Sequence, residues 1–121
     1  MMRASVVGTM LFILFGPIVW AAHLGVSYAA HAALCAAGDR LPLGANALPW
    51  VLGAATVVAV LVITIAMLSP QLVRAPIGAV REGEDARFAT AVMRTLGLLS
   101  LMGVGYFGLT MLLLPLCLPL R

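Results

Sequence analysis

Two histidines carry the side chains best suited to chemistry in a chain that is otherwise largely apolar. His23 and His31 are its only histidines, and both lie in an uncharged run that ends at Gly38. At about 100° per residue on a helix, they share one narrow stripe with residues that are polar, aromatic or small. The stripe consists of Thr9, Gly16, Trp20, His23, Ser27 and His31. Because a neighbouring helix best satisfies polar groups in an apolar helix, the pattern predicts a helix or subunit contact formed by Trp20, His23, Ser27 and His31.

Ligation of a haem or metal ion is the chemical alternative for these histidines. The two residues lie on one helix about 12 Å apart, so that a single haem cannot bind both. The methionines in the apolar blocks are more typical of packing than of haem ligation. The sequence contains no Walker loop, no paired metalloprotease histidines and no acidic residue within an apolar block. We therefore expect no catalytic residue, no bound metal and no cofactor.

The two cysteines, Cys35 and Cys117, are expected near the same side of the membrane. Together with His31 they offer thiolate and imidazole, which are ligands that copper prefers. Their spacing matches no known copper motif. Two cysteines at one depth in an oxidising compartment form a disulfide. A Cys35–Cys117 disulfide is therefore the favoured outcome, with two free thiols as the alternative.

Three apolar blocks must position these side chains. Of the 121 residues, 64% are hydrophobic and 9% are charged, whereas soluble domains are about half apolar and a quarter charged. Helices are the only open-ended structures that satisfy the backbone in lipid, and a span needs about 20 apolar residues. The sequence predicts an all-α integral membrane protein of one domain, with three transmembrane helices at about residues 6–30, 50–68 and 95–115. We therefore expect no separate catalytic domain in these 121 residues.

Small residues form further stripes, which permit helices to approach closely. On the first helix they lie directly opposite the polar stripe, and similar stripes occur on the other two helices. They are Ala21, Gly25, Ala29 and Ala33 on the first, Ala55, Ala59 and Ala66 on the second, and Gly97, Ser100 and Gly108 on the third. A helix with polar residues on one side and small residues on the other is expected to contact protein on both sides. This pattern favours an internal bundle together with a partner.

The arginines predict the orientation of the chain. Five flank one side of the membrane and two flank the other: Arg3, Arg74, Arg81, Arg87 and Arg94 against Arg40 and Arg121. The richer side is expected to be cytoplasmic, which places the N-terminus and the loop of residues 69–94 inside.

Acidic residues suit a helix start, so the third helix is expected to begin near Glu84. Arg87 and Arg94 share one face of it, where they are expected to meet lipid phosphates or acids of a partner. The arginines are too dispersed to predict nucleic-acid binding.

A resemblance to a known group of proteins rests on the first and third helices. The run Gly-Pro-Ile-Val-Trp-Ala-Ala-His-Leu at residues 16–24, followed by Tyr28 and Cys35, resembles small uncharacterised three-helix membrane proteins encoded near haem-copper oxidase subunits in proteobacteria. Arg87-Phe88 and the closing Leu-Pro-Leu-Cys at residues 114–117 are similar to the tail of that family. The similarity is loose over the second helix, and Tyr106 stands where the family pattern has Trp.

The resemblance implies a protein of the bacterial inner membrane that has lipid and the transmembrane subunits of a haem-copper oxidase as partners. It implies a non-catalytic accessory subunit or assembly factor of a respiratory complex, a cytochrome c oxidase, and it carries over no catalytic residue. The alternative is an autonomous, homo-oligomeric transporter of a small molecule or metal. The absence of acidic residues from the spans argues against a proton-coupled or cation-coupled transporter.

Overall fold

Helices make up all the secondary structure in the part of the chain that this computed structural model describes, residues 6–36, 44–79 and 83–113. They are α1 (Val6–Ile13), α2 (Phe15–Ala36), α3 (Gly44–Leu68), α4 (Gln71–Ile77) and α5 (Gly83–Leu113). Three of them, α2, α3 and α5, are long and apolar enough to cross a membrane. The predicted all-α class with three membrane-spanning helices is therefore confirmed, and the chain is a multi-pass membrane protein.

The first apolar block forms two helices that are nearly continuous. Pro17 has no N–H group, and its ring crowds the carbonyl of Ile13, so the helical pattern is interrupted between α1 and α2. Backbone bonds still bridge the interruption: the Leu14 N–H donates to Met10 O at 2.9 Å, and the Ile18 N–H donates to Leu14 O at 2.9 Å. The chain then stays helical to Ala36, beyond the expected end near residue 30.

The connection between the second and third spans contains α4, which the sequence analysis treated as loop. This helix follows Pro70 and ends at Gly78, whose backbone has a φ of 67° and a ψ of 32°. Such a left-handed conformation favours glycine, which has no Cβ to clash. The Gly78 N–H donates to Arg74 O at 3.0 Å and so satisfies a carbonyl at the helix end. Helix α4 packs beside α1.

Helix α5 begins with Gly83, Glu84 and Asp85, close to the expected start. Acidic side chains in a first turn interact favourably with the helix dipole. The helix is described as far as Leu113, so residues 114–115 of the expected third span lie outside the described residues.

Two apolar clusters lie along the axis of the bundle. One joins α1, α4 and the ends of α3 and α5; it contains Phe12, Ala66, Ala79, Ala89 and Met93. The other lies between α3 and α5 near the middle of the spans; it contains Ala59, Ile63 and Val104, with Val19 of α2 packed against it. Most of the remaining apolar side chains on the three spans are exposed, as expected for helices that face lipid. The next layer of the bundle contains the buried polar groups.

Candidate functional site

The buried polar side chains lie where α2 meets α3 and α5. Among the described residues, the buried polar positions are His23, Ser27 and Ser100, each no more than 6% exposed. His23 and Ser27 are one helical turn apart on α2, and Ser100 lies on α5. The polar stripe of α2 therefore faces the protein's own bundle over this stretch, and two of its residues, His23 and Ser27, are buried within the chain itself.

His23 is linked to α3 through a threonine. Its Nε2 lies 3.1 Å from Thr56 Oγ1, and the Thr56 hydroxyl donates to Leu52 O at 2.8 Å. Because that hydroxyl has one proton, it accepts from His23, which assigns the hydrogen to Nε2 and leaves Nδ1 as an acceptor. The pair joins α2 to α3, with His23 buried and Thr56 half-buried. This arrangement suits a neutral imidazole that ties two helices together.

An aromatic residue of α5 completes the surroundings of the imidazole. The ring of Phe107 meets the His23 ring edge-on, with centroids 5.7 Å apart and planes at 87°. Tyr28 approaches the same phenyl ring at 5.9 Å. Edge-to-face contacts of this kind stabilise ring positions beyond simple burial. His23 is thus held by α3 on one side and by α5 on another.

Two polar atoms in this layer have no hydrogen-bond partner among the described residues. They are His23 Nδ1 and Ser27 Oγ, both buried. An acceptor nitrogen and a hydroxyl one turn apart are thus left as potential hydrogen-bonding groups inside the bundle. No group of three His, Cys, Asp or Glu side chains that would bind a metal ion occurs in the described ranges.

Glycines let the helices around this layer approach closely. A Cβ atom placed on Gly16 would lie 2.9 Å from Gly97 Cα and 3.0 Å from Ser100 Oγ, so α2 and α5 touch backbone to backbone there. A Cβ atom on Gly103 would lie 2.9 Å from Trp20 Nε1. The indole of Trp20 therefore packs over α5, although 39% of the side chain stays exposed.

The opposite face of α2 makes no comparable contact. Its small residues are all exposed: Ala21, Gly25, Ala29 and Ala33. A Cβ atom placed on Gly25 would meet nothing within 4 Å. We call these four residues the small-residue face. Within the described part of the chain, α3 and α5 cover the polar side of α2 and leave the small-residue face open.

His31 lies apart from the His23 layer, near the far end of α2. It is half-buried, and its Nε2 lies 3.9 Å from Cys35 Sγ. Cys117, the expected disulfide partner of Cys35, lies outside the described residues. The expected disulfide stays a prediction, and the structure brings His31 together with Cys35 but not with His23.

The arginines expected at the cytoplasmic interface lie at the other end of the bundle. Arg87 and Arg94 are both exposed on α5, and Arg94 Nε donates to Met67 O of α3 at 3.2 Å. Together with a third arginine, Arg74 of α4, they line one cavity. The sequence analysis counted Arg74 only for orientation, because nothing in the local pattern indicates that α4 folds back toward α5.

Thr56 is the other residue that the sequence analysis missed. It is one of two threonines in the second span. A hydroxyl group in an apolar helix could have indicated a hydrogen-bond partner for a histidine of a neighbouring helix. Choosing it over Thr64 requires the relative rotation of α2 and α3, which one sequence does not provide.

No protein-family model matches this chain, and neither the curated proteins nor the solved structures contain a match.

Proposed function

We propose that this protein is a non-catalytic subunit or assembly factor that docks laterally against the transmembrane helices of a respiratory complex, a cytochrome c oxidase of the bacterial inner membrane. Helix docking through the small-residue face is the central element of the proposal. The observation that carries it is the exposure of all four residues of that face on a helix whose other side is already packed.

Small residues on a membrane helix favour protein contact because backbones can approach closely and gain van der Waals contact. Inside the bundle this chain uses its small residues in that way, at Gly16 against Gly97 and at Gly108 against Thr56. The exposed surfaces of α3 and α5 instead carry large side chains such as Val58, Leu61 and Leu99, which suit lipid. The small-residue face differs from them and fits a helix of another subunit.

The respiratory partner is proposed from the resemblance of residues 16–24. In the structure Gly16, Trp20 and His23 of this run contact α5 or α3 of the same chain. We infer that these residues stabilise the subunit's own bundle and that recognition of the oxidase uses the opposite face of the same helix.

The orientation with the N-terminus in the cytoplasm belongs to the same proposal. It is supported by the grouping of Arg74, Arg87 and Arg94 at one end of the bundle, because arginines are enriched on the cytoplasmic side. A reporter enzyme that is active only in the periplasm is expected to be active when fused to the C-terminus. Activity of the same reporter inserted after Gly78 would contradict the orientation.

Affinity purification of the tagged protein in mild detergent tests the partner. We expect haem absorption and oxidase subunits at constant stoichiometry, identified by mass spectrometry, and lower oxidase activity in a deletion strain. A colourless oligomer of this chain alone would contradict the proposal and favour the autonomous transporter.

A matched pair of variants tests the docking face. Gly25 and Gly105 are both exposed glycines at which an added Cβ meets nothing within 4 Å, so leucine at either is expected to leave the bundle intact. Gly25→Leu is expected to reduce recovery of the oxidase subunits at least severalfold, whereas Gly105→Leu leaves recovery near the wild-type level. Equal recovery with both variants would rule out the small-residue face as the docking surface.

A further inference from the structure

Three arginines from two helices line a single cavity at the end of the bundle where the Arg74 side chain of α4 reaches α5. The cavity has a volume of 380 Å³, and its lining includes Arg74, Arg87, Arg94 and Thr90. Three guanidinium groups around one cavity of this size present a concentrated positive charge with many N–H donors. Guanidinium groups match the geometry of phosphate oxygens and bind them with two parallel hydrogen bonds.

Arg74 is held firmly in this cavity by its neighbours. Its Nη2 donates to Ala86 O at 3.2 Å and also bonds to Thr90 Oγ1. The guanidinium carbon lies 4.8 Å from the centre of the Phe12 ring, which is fully buried. A cation over an aromatic face is stabilised by the ring quadrupole. Arg74 therefore provides a fixed charge, and its buried Nε has no hydrogen-bond partner within the described part of the chain.

Arg87 and Arg94 provide the more accessible charges. Both are exposed, and Arg94 bonds through Nε to Met67 O, which leaves its terminal nitrogens for other partners. Across residues 6–36, 44–79 and 83–113, neither arginine forms an ion pair with Glu84 or Asp85, although these acids lie in the first turn of α5. The positive charge of the cavity is thus not neutralised by the described carboxylates.

The cavity lies at the depth where a membrane changes from headgroups to hydrocarbon. Arg94 is the last charged residue of α5, and no charged residue follows it up to Leu113. On α3 the apolar stretch ends at Leu68. Leu98, one turn beyond Arg94 on α5, is 56% exposed and offers an apolar surface beside the charges. A ligand with a phosphate group and an attached hydrocarbon chain satisfies both features.

We propose that this cavity binds the phosphate group of an anionic phospholipid, with Arg74 fixed at its base, Arg87 and Arg94 closing on the phosphate, and the acyl chain along Leu98. This site is independent of the proposed docking to a respiratory complex, because it lies on α4 and α5 and not on the small-residue face. Basic pockets beside transmembrane helices on the cytoplasmic side commonly bind anionic lipid headgroups.

Native mass spectrometry of the full-length protein in mild detergent tests the site. Phosphatidylglycerol and phosphatidylcholine share the phosphate diester but differ in net charge, so their relative retention reports on the arginines. We expect preferential retention of phosphatidylglycerol, and about fivefold weaker retention for each of Arg87→Gln and Arg94→Gln, from a contribution of about 1 kcal/mol per arginine near a membrane surface. Arg40→Gln is the control, since it removes the same charge from the side that the sequence predicts to be opposite.

The outcomes separate the sources of the phosphate. Retention of phosphatidylglycerol that survives a large excess of inorganic phosphate at constant ionic strength supports the lipid, because the acyl chain adds affinity. Complete displacement would overturn the lipid assignment and show that the cavity takes a free phosphate. Equal retention of both lipids, or equal losses in Arg40→Gln and Arg87→Gln, would overturn the site.

Circular dichroism of each variant checks that a loss does not arise from unfolding. Loss of a co-purifying protein in Arg87→Gln, with lipid retention unchanged, would instead identify an acidic protein partner and reject the proposal.

Discussion

Helix α2 has two faces that differ both in chemistry and in what covers them. One face carries Gly16, His23 and Ser27, which are buried against α3 and α5. The other is the small-residue face, whose four residues are exposed. The residue types of both faces favour contact with protein, because polar groups in a membrane need hydrogen-bond partners and small residues let two helices approach closely. The bundle covers only the first.

The comparison shows which property decides burial in a small membrane protein. Water does not drive helices together inside a bilayer, because lipid tails are as apolar as leucine. A polar side chain left in lipid loses its hydrogen bonds, whereas an exposed alanine loses only packing. With two neighbouring helices available, burying His23 beside Thr56, where its Nε2 forms a hydrogen bond, is worth more than covering the small-residue face. The second face is therefore the one left over for a partner.

Replacement of Gly16 by alanine is expected to have the largest effect, because it attacks the closest contact of the buried face. The new Cβ would lie 2.9 Å from Gly97 Cα, and a backbone cannot move aside without separating α2 from α5. Overpacking of this kind destabilises by about 1–3 kcal/mol. Gly25→Ala, on the exposed face, is the control and is expected to change stability by less. Unfolding by sodium dodecyl sulfate, followed by circular dichroism, measures the difference; equal stability of the two variants would contradict the asymmetry of α2.

Thr56→Val is expected to destabilise the bundle by about 1 kcal/mol, since hydrogen bonds between membrane helices average about 0.6 kcal/mol and reach about 1.7. The change keeps the side-chain shape and removes the hydroxyl that accepts from His23 Nε2 and donates to Leu52 O. Thr56→Ser retains the hydroxyl and is expected to retain most of the stability.

A double-mutant cycle with His23→Ala isolates the bond itself. If the two residues are coupled, the combined variant is destabilised by less than the sum of the two single variants. Strict additivity in the same unfolding assay would show that His23 contributes by packing against Phe107 alone.

Gly97→Ala tests whether all close contacts of the buried face are equally rigid. Its new Cβ would lie 2.8 Å from Met67 Sδ, but this atom belongs to a flexible side chain that adapts to its surroundings. We expect a loss of less than about 1 kcal/mol, below the usual range for overpacking and smaller than for Gly16→Ala. Comparison of the two alanine variants by thermal unfolding in detergent checks the ranking, and an equal or greater loss at Gly97 would mean that Met67 cannot adjust.

Ala29→Leu is expected to have the smallest effect on the isolated protein. Ala29 is exposed on the small-residue face, and substitutions at such exposed positions usually change stability by no more than about 0.5 kcal/mol. In the same detergent assay we expect a curve that overlays the wild type, while recovery of a docked partner falls as for Gly25→Leu. A marked loss of stability in the purified chain alone would show that this face already has a contact within the protein.

Much of the architecture follows directly from the order of apolar and charged residues. The uncharged blocks indicate three helical spans, because only helices satisfy the backbone in lipid without a barrel. The acidic residues Glu84 and Asp85 indicate where α5 begins, because they interact with a helix terminus that lies close to them in sequence. The spacing on α2 likewise places its polar and small residues on opposite faces, which is a property of one helix alone.

Other features required the tertiary structure. The rotation of α2 toward α3 and α5 decides that Thr56 and Phe107 meet His23 and that the small-residue face stays open. The turn at Gly78 brings Arg74 to the cavity of Arg87 and Arg94. These outcomes depend on how several helices pack at once. Because lipid is as apolar as the interior of the bundle, apolar residues occur on both, and their order in the sequence does not show which face of a helix is buried. The sequence determined the helices and the chemistry of each face, and the packing decided which faces meet.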